Sequence, residues 1–130
     1  MKPIQLALLS ALSLVAITAL PGIAQAEGKK EPIVRIAELE IDPAQVDAYK
    51  VALREEIAAS IRSEPGVLRL YAVSIKGHPE QVRLFEMYAS QAAYESHLQT
   101  PHFRKYKTDT EAMVRSLKLL EAEPILLGSK

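Results

Sequence analysis

The chain has 130 residues, with sixteen basic and sixteen acidic side chains, a formal net charge of zero and no cysteine. This balanced charge argues against nucleic-acid binding, which depends on clustered basic side chains. Because cysteine is absent, the chain has no disulfide, no thiol nucleophile, no cysteine-ligated zinc and no lipid anchor on cysteine.

The first 26 residues have the layout of a secretory signal peptide. Lys2 supplies the positive start, residues 4–20 form an uncharged apolar run, and Pro21-Gly22 ends it before Ala24-Gln25-Ala26. The run is shorter than the ~20 residues that span a bilayer, which favours a signal peptide over a transmembrane helix. We expect no stable membrane insertion once it has been cleaved off. We expect cleavage after Ala26 and a secreted or periplasmic protein; an uncleaved N-terminal anchor is the alternative.

The 104 residues that remain suit one domain with a single hydrophobic core. Residues 27–32 are predicted to be a flexible polar leader, and residues 33–127 the folded domain. A first strand over 33–41 is followed by a helix that begins at Asp42-Pro43 and runs to about residue 63. Apolar side chains spaced three or four apart predict its buried face, and charged ones its solvent face: Val46, Tyr49, Leu53, Ile57 and Ile61 against Arg54, Glu55, Glu56 and Arg62.

The second half of the chain predicts two strands, two short helices and a last strand. The strands cover 67–76 and 81–88 with a turn over 77–80, and the helices cover 90–98 and 101–114. The last strand covers 117–122 and is continued by Leu126 and Leu127 after Pro124. This β-α-β-β-α-β order predicts an α+β, ferredoxin-like fold with a four-stranded antiparallel sheet covered by helices on one face.

The second strand is apolar on both of its faces, which predicts a homodimer. Val67, Tyr71, Val73 and Ile75 alternate with Leu68, Leu70 and Ala72. Helices cover only one face of such a sheet, and an uncovered apolar face marks an interface. Two sheets packed face to face would form a symmetric dimeric α+β barrel.

Two of the three histidines lie in the segment His97-Leu98-Gln99-Thr100-Pro101-His102. Thr100 suits an N-cap and Pro101 the first helical position, so the two imidazoles are predicted to project from a rigid corner between helices. Histidine changes charge near neutral pH, so His97 can act as a general base and His102 can exchange protons or bind a substrate oxygen. The alternative is that the two histidines only cap or pack the corner.

Glu86 lies on an otherwise apolar strand face and is the third candidate catalytic residue. A buried carboxylate needs a partner, and Glu86 can orient an imidazole by accepting its N–H. An ion pair with Arg69 or Arg35 is the alternative. Substrate binding is predicted for aromatic side chains that can stack or donate a hydrogen bond, with core packing as the alternative: Tyr71, Tyr88 and Tyr106.

A metal site is not expected from these residues. His97 and His102 are five positions apart across Pro101, and no third ligand lies at helical spacing. His78, in the predicted turn, is expected to be solvated surface.

Taken together in this topology, several fragments resemble the antibiotic biosynthesis monooxygenase (ABM) superfamily of dimeric α+β barrels. They span residues 32–127 in order: Glu64-Pro65-Gly66-Val67-Leu68-Arg69, Glu86-Met87-Tyr88, Ala93, His97-Leu98-Gln99-Thr100-Pro101-His102, Phe103 and Tyr106. The resemblance adds Phe103 to the candidate substrate-binding residues. It also implies an oxygenase of quinols or phenols that needs no metal, flavin or other cofactor, or an isomerase of a small carbonyl compound.

The haem-degrading branch of the superfamily is not matched. Its asparagine, tryptophan and axial histidine correspond here to Ala37, His97 and Lys107, and the chain has no tryptophan. Two classes of function therefore stay open. One is an exported enzyme that oxidises a small quinol-like or phenolic compound, and the other is a non-catalytic dimer that binds a small hydrophobic ligand.

Overall fold

The computed structural model describes residues 31–130, so the predicted signal peptide and residues 27–30 of the leader lie outside the described residues. The strands are β1 (Ile33–Ile41), β2 (Val67–Ile75), β3 (His78–Tyr88) and β4 (Val114–Ala122). The helices are α1 (Val46–Ser63), α2 (Gln91–Gln99) and α3 (Pro101–Thr110). Single 3₁₀ turns at Pro43–Gln45 and Glu111–Met113 lead into α1 and out of α3.

The four strands form one antiparallel sheet in the order β2-β3-β1-β4. This is the predicted ferredoxin-like, α+β fold. Ala37 pairs with Leu84 and Leu39 with Val82, and these side chains form the main core with the buried face of α1. In the same register Arg35 pairs with Glu86, so both lie on the face of the sheet that the helices cover.

The buried face of α1 differs from the predicted one at its C-terminal half. Glu56 and Ser60 are buried, whereas Ile61 is 51% exposed. The three-and-four spacing of Val46, Tyr49 and Leu53 continues to positions 56 and 60, so two polar residues occupy the helix stripe that faces the sheet. The prediction that Glu56 faces solvent is therefore wrong.

The hairpin between β2 and β3 is tighter than predicted, because β3 begins at His78 rather than at residue 81. Only Lys76 and Gly77 separate the strands, and Gly77 has φ of 84°, a conformation that glycine adopts without strain. At the other end of β2 the register shifts by one residue between Val67 and Arg69. This bulge turns Val67 into the core with Leu70, not onto the face of Tyr71 as the alternation predicted.

The C-terminal elements also differ from their predicted bounds. The helix after Pro101 ends at Thr110 rather than near residue 114, and the turn that follows brings the Met113 carbonyl oxygen within 2.8 Å of the Asp42 amide nitrogen, which donates to it. This bond sets Val114 beside Ile41, so β4 begins three residues before the predicted residue 117. Leu126 and Leu127 lie outside β4, which ends at Ala122, just before Pro124. Among the described residues, no helix is long and apolar enough to cross a membrane.

Candidate active site

A cavity of about 530 Å³ lies between the sheet and the three helices. Its wall is mostly aliphatic and aromatic, and its size falls within the usual range for a small-molecule site. Four aromatic side chains line it: Tyr88, Tyr94, Phe103 and Tyr106. Ionisable side chains also reach its wall, among them Glu56 from α1, Glu86 from β3 and His97 from α2.

His97 is held at a corner whose geometry follows from Thr100 and Pro101. The Thr100 hydroxyl donates to the His97 carbonyl oxygen at 2.8 Å and accepts from the Phe103 amide at 3.2 Å. Pro101 takes the first position of α3, where a missing N–H costs no hydrogen bond. The corner therefore ends α2, starts α3 and fixes the imidazole of His97, which is only 2% exposed.

The carboxylate of Glu64 joins the two histidines. Its Oε2 atom lies 3.0 Å from Nδ1 of His97 and 2.6 Å from Nε2 of His102. Burial alone would raise the pKa of Glu64, but the hydrogen bonds from His102 and His97 outweigh it and lower the pKa below its usual value. An ionised carboxylate only accepts hydrogen bonds, so both facing nitrogens carry protons and Nε2 of a neutral His97 is left as an acceptor.

Glu56 lies on the other side of the same imidazole. Its Oε1 atom is 3.5 Å from Nε2 of His97 and accepts a hydrogen bond from the Ser60 hydroxyl at 2.7 Å. Burial raises the pKa of Glu56 above its usual value, although the Ser60 hydrogen bond and the nearby His97 oppose that rise. Nε2 of His97 therefore faces a carboxyl group that lines the cavity.

Glu86 lines the cavity but does not orient His97, because Glu64 takes that place. Burial raises the pKa of Glu86, opposed by the attraction of His97 and Arg35. Neither alternative ion pair is present among the described residues. The Arg35 guanidinium lies 3.8 Å from Glu121 and 4.5 Å from the centre of the Tyr94 ring, while Arg69 donates to the Leu68 carbonyl oxygen.

Three of the four predicted substrate-binding side chains line the cavity. The rings of Tyr88 and Phe103 lie 5.3 and 4.9 Å from the His97 ring, and the Tyr106 hydroxyl is 2.7 Å from that of Tyr49. Tyr71 is elsewhere: it is 58% exposed and stacks on Phe85, on the face of the sheet that the helices leave uncovered. Tyr71 therefore does not line this cavity, since strand alternation directs it to the other face.

His102 does not line the cavity. It lies on the outer side of the corner, in a separate groove that Glu64 shares. The sequence did not predict that Glu56, Glu64 and Tyr94 lie at this site. Tyr94 is predictable, because it precedes His97 by three positions and so lies on the same face of α2.

The structure also places a third side chain that can ligate a metal beside the two histidines. Ligand atoms of Glu56, His97 and His102 all lie within 4.8 Å of one another. Glu56 lies on α1, so the spacing of residues around His97 does not predict this neighbour. The three side chains can hold a metal ion, or they can remain a hydrogen-bonded cluster with Glu64.

The fold and site define a small α+β domain with a buried, carboxylate-held imidazole at the wall of an aromatic cavity. The family model of the antibiotic biosynthesis monooxygenases matches residues 32–109. The chain therefore belongs to the ABM family.

Similar proteins come from several bacteria. A crystal structure from Bacteroides thetaiotaomicron VPI-5482, named for the antibiotic biosynthesis monooxygenases, is 48% identical with a TM-score of 0.74, over 77% of this chain and 95% of that one. The Pseudomonas aeruginosa protein PA3566 is 24% identical with a TM-score of 0.69, over 75% of this chain and 98% of that one, and shares the fold. The uncharacterised Synechocystis protein sll1783 is 28% identical over 102 residues, 76% of this chain and 69% of that one.

Proposed function

We propose that this protein is a monooxygenase that oxidises a small phenolic or quinol-like compound with molecular oxygen. The observation that carries the proposal is the state of His97. It is buried, its Nδ1–H is held by Glu64, and its Nε2 lies on the side of Glu56, at the wall of the aromatic cavity. Membership of the ABM family and a solved relative named for monooxygenases support the same class of reaction.

The first step is proton transfer from a substrate hydroxyl to Nε2 of His97. The ionised Glu64 stabilises the imidazolium that forms, as a carboxylate does when it orients a catalytic histidine. Burial raises the pKa of both Tyr88 and Tyr106, so their hydroxyls stay protonated and can donate to the substrate oxyanion.

The substrate anion then reduces oxygen. A quinol and O₂ give a hydroxyquinone and water: one oxygen atom forms a new bond to the ring, the O–O bond breaks, and the other atom leaves as water. All four electrons come from the substrate, so the reaction balances without a further reductant. The aromatic side chains of the cavity wall suit a flat aromatic substrate.

The test is oxygen uptake by the purified protein with a panel of quinols and phenols. We expect His97→Gln to lower turnover by about 10²-fold or more, the range for a lost general base. Tyr71→Phe is the matched control, because Tyr71 lies outside the cavity, and it should leave turnover unchanged.

Two results would contradict the proposal. Tight binding of these compounds with no oxygen uptake would identify a non-catalytic binding protein, and conversion of a small carbonyl compound without oxygen would identify an isomerase. Turnover that survives His97→Gln in a folded protein would place the base elsewhere.

We also propose that the protein is exported. The support is the apolar run over residues 4–20 followed by Ala24-Gln25-Ala26. Mass spectrometry of the protein from its native host should find an N-terminus at or near Glu27. A soluble cytoplasmic protein that keeps Met1 would contradict export.

A further inference from the structure

We propose that Glu56, His97 and His102 form a binding site for a divalent transition-metal ion of the zinc type, with Glu64 as the carboxylate that orients the two imidazoles. Two imidazoles and one carboxylate are a common ligand set for zinc and its neighbours in the first transition row. The three side chains come from α1, α2 and α3, yet their ligand atoms all lie within 4.8 Å of one another. Ligand atoms around a tetrahedral zinc ion are separated by roughly 3.3 Å, as its bond lengths of about 2.0–2.2 Å require.

The cluster is also largely buried, and its Glu56 carboxyl group is oriented by a hydrogen bond. Glu56 and His97 are 5% and 2% exposed, and Ser60 donates a hydrogen bond that orients the Glu56 carboxyl group. A cation bound here would be attracted to the carboxyl groups of Glu56 and Glu64, which lie on either side of His97. A hydrogen bond to a ligating carboxylate is the kind of outer support that metal sites use.

The cluster has a route for the ion that avoids the aromatic cavity. An outer groove of about 520 Å³ is lined by Glu64 and His102, whose side chains are 12% and 21% exposed. His97, which is 3% exposed at its side chain, lies behind them. An ion can therefore meet Glu64 and His102 first and reach His97 without passing the substrate.

Metal binding and base activity are mutually exclusive at His97. If the ion takes Nε2, the lone pair that would accept the substrate proton is used. If it takes Nδ1, the neutral ring carries its one proton on Nε2. A bound ion therefore switches off the base, and this part of the inference rests on the proposed function.

The binding test uses protein stripped with a chelator and then titrated with Zn²⁺ in a calorimeter, with Mg²⁺ as the comparison ion. We expect one zinc per chain and no comparable binding of Mg²⁺, which prefers oxygen ligands and retained water. His102→Ala and Glu64→Gln should each weaken zinc binding by about 10- to 100-fold. His78→Ala removes the other histidine of the chain, which pairs with Glu80 on the surface, and should leave the affinity unchanged.

Circular dichroism of each variant checks that the chain is folded, and His102→Gln replaces His102→Ala if the latter does not fold. Failure of the wild type to bind zinc more tightly than the His102 variant would overturn the site. So would an affinity that falls with His78→Ala instead.

The inhibition test is oxygen uptake with increasing Zn²⁺, followed by EDTA. Loss of activity at one ion per chain and its return with EDTA would support the switch, and activation by zinc would overturn it. If no compound in the panel is oxidised while calorimetry still finds the site, the proposed oxygenase function fails and the metal site stands.

Discussion

His97 lies between two glutamates whose ionisation responds to burial in opposite ways. Glu64 gains hydrogen bonds from two imidazoles, which lower its pKa despite burial, whereas burial dominates at Glu56 and raises its pKa. An acid whose pKa is lowered by folding stabilises the protein at pH values above its unfolded pKa. An acid whose pKa is raised by folding stabilises the protein at pH values below its unfolded pKa. The two residues therefore contribute to stability in different pH ranges.

For Glu64 the stabilisation is present above the usual pKa of 4.5 and is lost as the pH falls through the lowered folded value. Glu64→Gln should therefore be less stable than the wild type at neutral pH, by about 1–3 kcal/mol for lost charge-assisted hydrogen bonds. The difference should shrink below pH 4.5. Urea denaturation of metal-free protein across this pH range measures it, and a difference that stays constant would contradict the assignment.

For Glu56 the sign is opposite. The stabilisation is present below the usual pKa of 4.5 and is lost as the pH rises through the raised folded value, because the ion is poorly solvated. Glu56→Gln should therefore gain stability relative to the wild type as the pH rises, while both respond alike in acid. The same urea denaturation across pH measures this difference. Glu55→Gln is the control, because the neighbouring Glu55 side chain is exposed.

Sequence reasoning reached part of this site because its residues lie on recognisable faces. His97, Glu86, Tyr88, Phe103 and Tyr106 all reach the cavity wall. Glu56 is not predicted because a charged side chain favours solvent, although its spacing from Leu53 continues the buried stripe. Glu64 reads as an ordinary residue before a helix-ending Pro-Gly, and its two partners lie 33 and 38 positions away. No local pattern reports contacts at that separation.

At the scale of elements, α2 lies very close to the start of β2. A Cβ added at Gly66 would come within 2.6 Å of the Ala93 Cβ, which is attached directly to the helix backbone and cannot rotate away. Gly66 also accepts a hydrogen bond from the Ala89 amide at 2.8 Å, which ties β2 to the chain that enters α2. The close approach of these two elements depends on a residue without a side chain.

Gly66→Ala should therefore destabilise the protein by about 1–3 kcal/mol, the usual cost of overpacking. Ala93→Gly removes the clashing atom and costs about 1 kcal/mol of helix propensity by itself. In the Ala93→Gly background, the Gly66→Ala change should cost much less than in the wild type. Thermal denaturation of the four proteins measures this coupling, and simple additivity would show that the contact does not limit packing.

Most elements were predictable because strong end signals flank them. Asp42-Pro43, Ser90 and Thr100-Pro101 all lie where the structure begins a helix or the turn that leads into it. The errors occur where tertiary contacts decide. The bond between Asp42 and Met113 ends the α3 region early, and the bulge in β2 turns Val67 into the core.

For the whole molecule, we expect a homodimer formed through the uncovered face of the sheet. Tyr71 and Val73 on this face are 58% and 59% exposed, and such a contiguous apolar surface is rare on a monomer. Val73→Lys should shift the molecule toward monomer, as measured by light scattering. Val51→Lys is the matched control, since Val51 is 53% exposed on α1, away from the sheet. A wild-type protein that stays a folded monomer at micromolar concentration would contradict the dimer.

The bridge from Glu64 to both histidines also has a consequence for local unfolding. The carboxylate of Glu64, directly after α1, accepts hydrogen bonds from His97 on α2 and His102 on α3. Neither short helix can separate from the sheet without breaking its hydrogen bond to Glu64. Their amide hydrogens should therefore exchange with solvent as one cooperative unit rather than helix by helix. Any such local unfolding releases His97 from Glu64 and exposes the cavity in the same event. Under the proposed function, the locally unfolded protein therefore lacks an oriented base.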